Sequence, residues 1–183
     1  ENRWHYTFDY RFFPDYYQSY GLGFYEYFRL SEQIGAEPLP VVSVGLSCEF
    51  QNGSERNDRH VPVDQLQPYI DDVLDLIEFA NGDPAKNQWA KLRADMGHPE
   101  PFNLKYLGIG NENKGDAFWE RFDIMYKAIK EKYPECKIVL VVDENAEKEV
   151  AKQMKQAKKD GMIDQFIYGS ISASYLADIV DSL

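Results

Sequence analysis

Apolar and polar positions along this chain change period several times, and each change predicts an element. From Leu22 to Ile34, apolar residues at Phe24, Tyr27, Phe28, Leu30 and Ile34 keep the spacing of a helix with a broad apolar face, and Gly35 is suited to close it. Pro38 to Gly45 reads as a buried strand whose prolines stand at its start. Leu46 to Val63 is polar and reads as a loop. Pro62 and Asp64 open a second helix to about Ala80, with Leu66, Tyr69, Ile70, Val73, Leu74, Ile77 and Ala80 at helical spacing and Asp64 as the expected N-cap. Asn81-Gly82-Asp83-Pro84 ends it, and a short helical piece is expected around Trp89 to Met96. The run from Leu104 to Gly110 reads as a short buried strand, and Ala117 to Tyr133 as a helix stopped by Pro134. Lys137 to Asp143 is a continuous β-branched run of the kind that parallel sheets bury on both faces. Ala146 to Lys159 reads as a Lys-rich, mostly solvated helix with its cap at Asp143-Glu144; Met162 to Tyr175 is ambiguous, and Ala177 to Asp181 is expected as a last strand.

This alternation is that of a parallel β/α protein. Four strands suffice for a small open sheet but are too few to close an eight-stranded barrel of roughly 250 residues, and no internal linker divides the chain, which reads as one piece. The first twenty residues break the pattern. Trp4, His5, Tyr6, Phe8, Tyr10, Phe12, Phe13, Tyr16, Tyr17 and Tyr20 crowd together without sustained alternation or helical period, and read as a loop. A loop so apolar needs a cover, either further protein or a ligand in a cleft.

Composition narrows the function classes. With 44% hydrophobic residues and a mean hydropathy of −0.55, the 183-residue chain reads as globular rather than disordered. A net charge of −11 disfavours nucleic acid and anionic membrane as partners, because phosphate would be repelled over most of the surface. A neutral substrate meets no such barrier. Aromatic residues make up 15%, a surplus that serves a core or, alternatively, a cleft that stacks on sugar C–H faces. Cys48 and Cys136 lack ligand spacing, so neither a metal site nor a disulfide framework is expected, and no apolar run approaches the ~20 residues of a membrane span. The sequence holds no G-x-G-x-x-G after a strand, no Walker motif, no H-E-x-x-H and no G-x-S-x-G, so no cofactor is expected. Compartment stays open, since a trimmed chain shows no leader; Asn52-Gly53-Ser54 matches a glycosylation sequon that turn chemistry explains as well.

The candidate chemistry lies at Asn111-Glu112-Asn113, where the Leu104 strand must stop and before the Ala117 helix begins. In repeated β/α folds, the carboxyl ends of strands are where sites are built. A lone acid there is as well explained by a solvated turn, but two flanking asparagines, able to orient the acid or to donate to a ligand hydroxyl, tilt the reading towards a held carboxylate.

Gly108-Ile109-Gly110-Asn111-Glu112-Asn113 resembles the G-N-E motif of the α-L-arabinofuranosidases of glycoside hydrolase family 51, retaining enzymes built on a (β/α)8 barrel. Gly21 to Tyr27 and Ile34 to Leu39 look like that family's helix leading into barrel strand three, Gly45 to Asn52 like the loop after it, and Phe118 to Pro134 like the helix after the catalytic acid. Beyond Asp143 the match fades. The resemblance implies a partial barrel over residues 1–183, about strands three to six, with strands one, two, seven and eight and a C-terminal β-sandwich outside it. Glu112 then matches the general acid/base, and Asn111 the residue that hydrogen-bonds the sugar 2-hydroxyl. The nucleophilic glutamate at the end of strand seven has no counterpart here, so the piece alone is expected to be inactive. The implied partner is an arabinose-containing oligosaccharide or polysaccharide, the reaction is release of terminal α-L-arabinofuranosyl residues, and the full-length protein is a homo-oligomer. Tyr17 and Trp4 stand as aromatics that either line the sugar site or pack. Other retaining barrel glycosidases acting on xylan, glucan or galactan, a non-catalytic glycan-binding fragment and a stand-alone β/α domain remain as alternatives.

Overall fold

Strands and helices alternate along the chain, and in the computed structural model they fold as two units, residues Glu1–Pro38 and Leu39–Leu183. The structure describes residues 5–8, 16–19, 21–46, 60–111, 115–142, 156–161 and 165–168; for 5–8, 16–19, 141–142 and 165–168 it gives the backbone alone.

The first unit corrects the expected aromatic loop. His5–Phe8 (β1) pairs antiparallel with Tyr16–Ser19 (β2), setting His5 opposite Ser19 and Phe8 opposite Tyr16. Aromatic residues and Thr favour extended pairing, and two four-residue strands are too short for alternation to stand out. Helix α1 (Phe24–Ile34) follows. The Gly23 N–H donates to Glu26 Oε2 at 2.7 Å, satisfying a first-turn donor, and Gly35 ends the helix at φ 69°. Phe28 is buried, whereas Leu22, Tyr27, Leu30 and Ile34 on the rest of the apolar face are exposed.

The second unit is a parallel sheet with strand order β3-β4-β5-β6: Val41–Val42, Tyr106–Ile109, Lys137–Val142 and Gln165–Tyr168. Leu107, Gly108 and Ile109 on β4 and Ile138, Val139 and Leu140 on β5 are buried in succession, so both sheet faces are covered, as the continuous β-branched run required. Each such aliphatic side chain contributes about 1.5–3 kcal/mol. Helices α2 (Gln67–Asn81), α3 (Gln88–Asp95) and α4 (Gly115–Lys132) lie between the strands in sequence. Ile70, Val73, Ile77 and Ala80 form the buried stripe of α2; Phe118, Phe122, Met125 and Ile129 form that of α4.

Three expectations change. β3 is two residues long, not the eight of Pro38 to Gly45: Pro38 and Pro40 before it carry no N–H for a ladder, and after it the chain turns at Gly45, φ 77°. Asp64 does not cap α2: it sits inside a 3-10 turn, Val63–Gln65, and the N-cap is Leu66 without any side-chain bond. The fourth strand falls at Gln165–Tyr168, within the segment whose pattern was ambiguous. The expected strand at 177–181 and the cap at Asp143-Glu144 lie outside the described residues, and 156–159 are helical. No described helix is long and apolar enough to cross a membrane.

Cross-links gather where helices return to the amino ends of the strands. Asn81 brackets Leu104, its Oδ1 accepting from the Leu104 N–H at 2.7 Å and its Nδ2 donating to the Leu104 carbonyl at 2.8 Å. Arg93, fully buried, donates to the carbonyls of Phe79, Gly82, His98 and Pro99 at 2.7–3.0 Å, closing the ends of α2 and α3 together.

Candidate active site

At the carboxyl edge of the sheet, glycines set the geometry. Gly108, inside β4, lies so close to β3 that a Cβ would stand 2.8 Å from Val41 Cγ2. Gly110, the residue after β4, has φ 74°, and its N–H donates to the Val42 carbonyl at 2.9 Å. An L side chain is strained there, so glycine is what lets the chain leave the strand in this direction. Asn111 follows directly and is exposed. Helix α4 then starts at Gly115, itself at φ 75°, with Asp116 in its first turn, where an acid suits the helix dipole.

The end of β3 is built alike. Gly45 has φ 77°, and a Cβ there would lie 2.9 Å from Leu66 Cδ2 and 3.1 Å from Val61 Cβ. Its N–H donates to Ser43 Oγ at 3.1 Å, and its carbonyl accepts from the Val61 N–H at 2.8 Å. The connection that leaves β3 at Gly45 therefore returns to the same glycine at Val61. Arg121 of α4, buried in the stripe otherwise made by Phe118, Phe122, Met125 and Ile129, donates from Nη2 to the Val61 carbonyl at 2.7 Å and from Nη1 to the Ala117 carbonyl at 2.9 Å. Its Nε is buried without a hydrogen-bond partner.

Of the sequence candidates, Asn111 is placed at the carboxyl end of β4. Glu112, one residue on, lies outside the described residues, as does Trp4. Tyr17 is in β2, opposite Thr7, within the first unit. Sequence reasoning did not single out Arg121; the signal was present as a cation inside an apolar helical stripe. Among the described residues no cluster of His, Cys, Asp and Glu could hold a metal. Cys136 is buried, and its carbonyl accepts from Lys130 Nζ at 2.5 Å.

Parallel strands alternating with helices, with polar residues following the carboxyl end of a central strand, define first a β/α protein of the kind that builds sites on that edge. The family follows from comparison. The chain belongs to the α-L-arabinofuranosidase family: the model described as the alpha-L-arabinofuranosidase 1 domain matches residues 2–179. It is 50% identical over 128 residues to an extracellular exo-alpha-L-arabinofuranosidase of Streptomyces chartreusis, covering 69% of this chain and 15% of that protein. To alpha-L-arabinofuranosidase 2 of Arabidopsis thaliana it is 40% identical over 127 residues, covering 69% and 17%. The solved structure of arabinose-bound MgGH51 α-L-arabinofuranosidase superposes with a TM-score of 0.58 at 33% identity, over 73% of this chain and 20% of that one. The chain thus spans about a sixth of the length of the curated relatives named.

Proposed function

We propose that this chain is the part of a (β/α)8 barrel that contains strands three to six of a retaining α-L-arabinofuranosidase, and that it contributes the general acid/base, Glu112. The observation that supports the reading is the left-handed Gly110 at the carboxyl end of β4, which sets Asn111, the residue before Glu112 in sequence, at the sheet edge where such folds do chemistry, in a chain of this family. The nucleophilic carboxylate comes from a part of the protein other than residues 1–183, as do the remaining strands and the β-sandwich. The substrate is an oligosaccharide or polysaccharide bearing terminal α-L-arabinofuranosyl groups.

The chemistry assigns each residue one task. With the two carboxyl groups ~5–5.5 Å apart, the nucleophile bonds to the anomeric carbon as the glycosidic C–O bond breaks, and Glu112 gives its proton to the departing oxygen. Glu112, now ionised, takes a proton from water as that water attacks the anomeric carbon and expels the carboxylate. The neighbouring nucleophile's charge keeps Glu112 protonated for the first step. Asn111 donates to the sugar 2-hydroxyl, a bond that strengthens as positive charge develops at the anomeric carbon. Tyr17 and Trp4 enter this proposal only as candidate aromatics for stacking on sugar C–H faces.

The test is Glu112→Gln in the full-length protein. Turnover of a phenyl α-L-arabinofuranoside is expected to fall by about 10²–10⁴-fold, the usual worth of a general acid/base, with no change in Tm. A panel of aryl xylosides, glucosides and galactosides is expected to be poor for wild type. A mutant equal to wild type, or wild-type preference for another sugar, rejects the assignment.

A further inference from the structure

We propose that Arg121 is a positioning residue for the acid-bearing link between β4 and α4, acting through Val61; this rests on the functional reading of Glu112. A guanidinium 6% exposed on a helical stripe of Phe and Met is costly, and a Met or Leu of similar volume would pack there without burying a charge. Nor is the cost well offset. Among the described residues no carboxylate forms an ion pair with Arg121, its Nε has no partner, and one of its two bonds goes to its own helix at Ala117. The bond that reaches across the fold is Nη2 to the Val61 carbonyl.

That single bond closes a ring. Val61 is held on its N–H side by Gly45, at the end of β3. β3 is held to β4 by the pairing of Val42 with Ile109, and to the next residue by the Gly110 N–H on the Val42 carbonyl. From Gly110 the chain runs through Asn111 and Glu112 into α4, and Arg121, in the second turn of that helix, returns to Val61. The described residues on either side of the acid are therefore both tied to this ring, Gly110 to β3 and α4 to Val61. Without Arg121, α4 loses its bond to Val61 and is held there by the packing of the buried Phe118 and Phe122. Displacement of a reacting group by ~1 Å can cost about 10²-fold, so a second anchor of this kind bears on proton delivery although it touches no substrate.

The prediction concerns which substrates suffer. Protonation by Glu112 matters for an aglycone that leaves poorly and hardly at all for a dinitrophenolate. In the full-length enzyme, Arg121→Met is expected to lower kcat/KM about 10–100-fold on a methyl or phenyl arabinofuranoside, through kcat, and less than about threefold on the dinitrophenyl substrate. Arg121→Lys keeps the stem and one donor able to reach Val61, but gives up the planar fork, and is expected to fall between Met and wild type with the same aglycone dependence. Equal losses on both aglycones, or wild-type kinetics on both in a folded Met variant, overturn the inference. If the Met variant does not fold, the Lys variant decides by the same criterion. Glu112→Gln run alongside separates the two claims. Should it retain wild-type activity, the functional reading fails; should it be crippled while the Arg121 variants show no aglycone dependence, only the role of Arg121 fails.

Discussion

The two ends of the parallel sheet carry buried arginines, and they are satisfied differently. At the amino end, Arg93 gives its N–H groups to four carbonyls around the ends of α2 and α3. Asn81 brackets Leu104 there, the Phe102 N–H reaches the Ala80 carbonyl at 2.8 Å, and the His98 ring stacks on Phe102 at 4.1 Å. At the carboxyl end, Arg121 holds two carbonyls and leaves Nε without a partner, and the chain leaves β3 and β4 through left-handed glycines, Gly45 and Gly110. One end satisfies its backbone and secures the fold. The other leaves exposed polar groups such as Asn111 at the rim, which is the division of labour between stability and chemistry that β/α architectures show.

Removing Arg93 should have the largest effect on stability. Arg93→Met leaves the carbonyls of Phe79, Gly82, His98 and Pro99 without their donor, an expected loss of about 3–5 kcal/mol. Denaturant unfolding of the full-length protein measures it, and kcat of the folded fraction should be unchanged. Gly110→Ala comes next. A Cβ at φ 74° costs about 1–2 kcal/mol, and the redirected chain should reduce turnover by about tenfold or more, so this change, unlike the first, harms activity more than Tm. A Gly110→Ala enzyme with full activity would break the comparison at its carboxyl end.

The smallest effect is a pH dependence at the amino end, where Tyr133 Oη donates to Glu78 and Lys132 Nζ lies 3.1 Å from the same carboxylate. Burial pushes the Glu78 pKa up, but the Tyr133 and Lys132 hydrogen bonds and the Lys132 charge outweigh it, leaving the carboxyl below its ordinary value. Burial and the Glu78 carboxylate push Tyr133 above the ordinary phenol range. For Glu78 the folded value lies below the unfolded one, so its contribution is present at neutral pH and fades as pH falls below the ordinary carboxylate pKa. For Tyr133 the folded value is raised, so its contribution is full below the ordinary phenol pKa of about 10 and fades above it. Tm of wild type against Glu78→Gln should converge in acid and differ most near neutrality.

Periodicity made α2, β4, α4 and β5 legible, because each buries a stripe or a continuous run long enough to set a period. The β1–β2 pair lay in an aromatic stretch without alternation and β6 in a segment of mixed pattern, and β3 shrank because prolines precede it and the chain turns at Gly45 after it. The Gly-Asn-Glu motif at β4 was readable through family resemblance. Arg93 and Arg121 were hidden for a different reason. The apolar stripe around Arg121 carried a signal of burial, but what a buried cation holds is legible only with its acceptors, and those of Arg121 include a carbonyl sixty residues earlier in the chain.

The central claim, that the carboxyl end of β4 carries the acid/base of a retaining arabinofuranosidase, is tested most directly by azide. Full-length Glu112→Gln is given dinitrophenyl α-L-arabinofuranoside, whose leaving group needs no acid, so the glycosyl-enzyme forms but water, lacking a base, releases it slowly. Azide needs no base. Restored turnover with α-arabinofuranosyl azide as product, absent from wild type, is the predicted result; a mutant indifferent to azide, or an azide product of inverted configuration, would contradict the account.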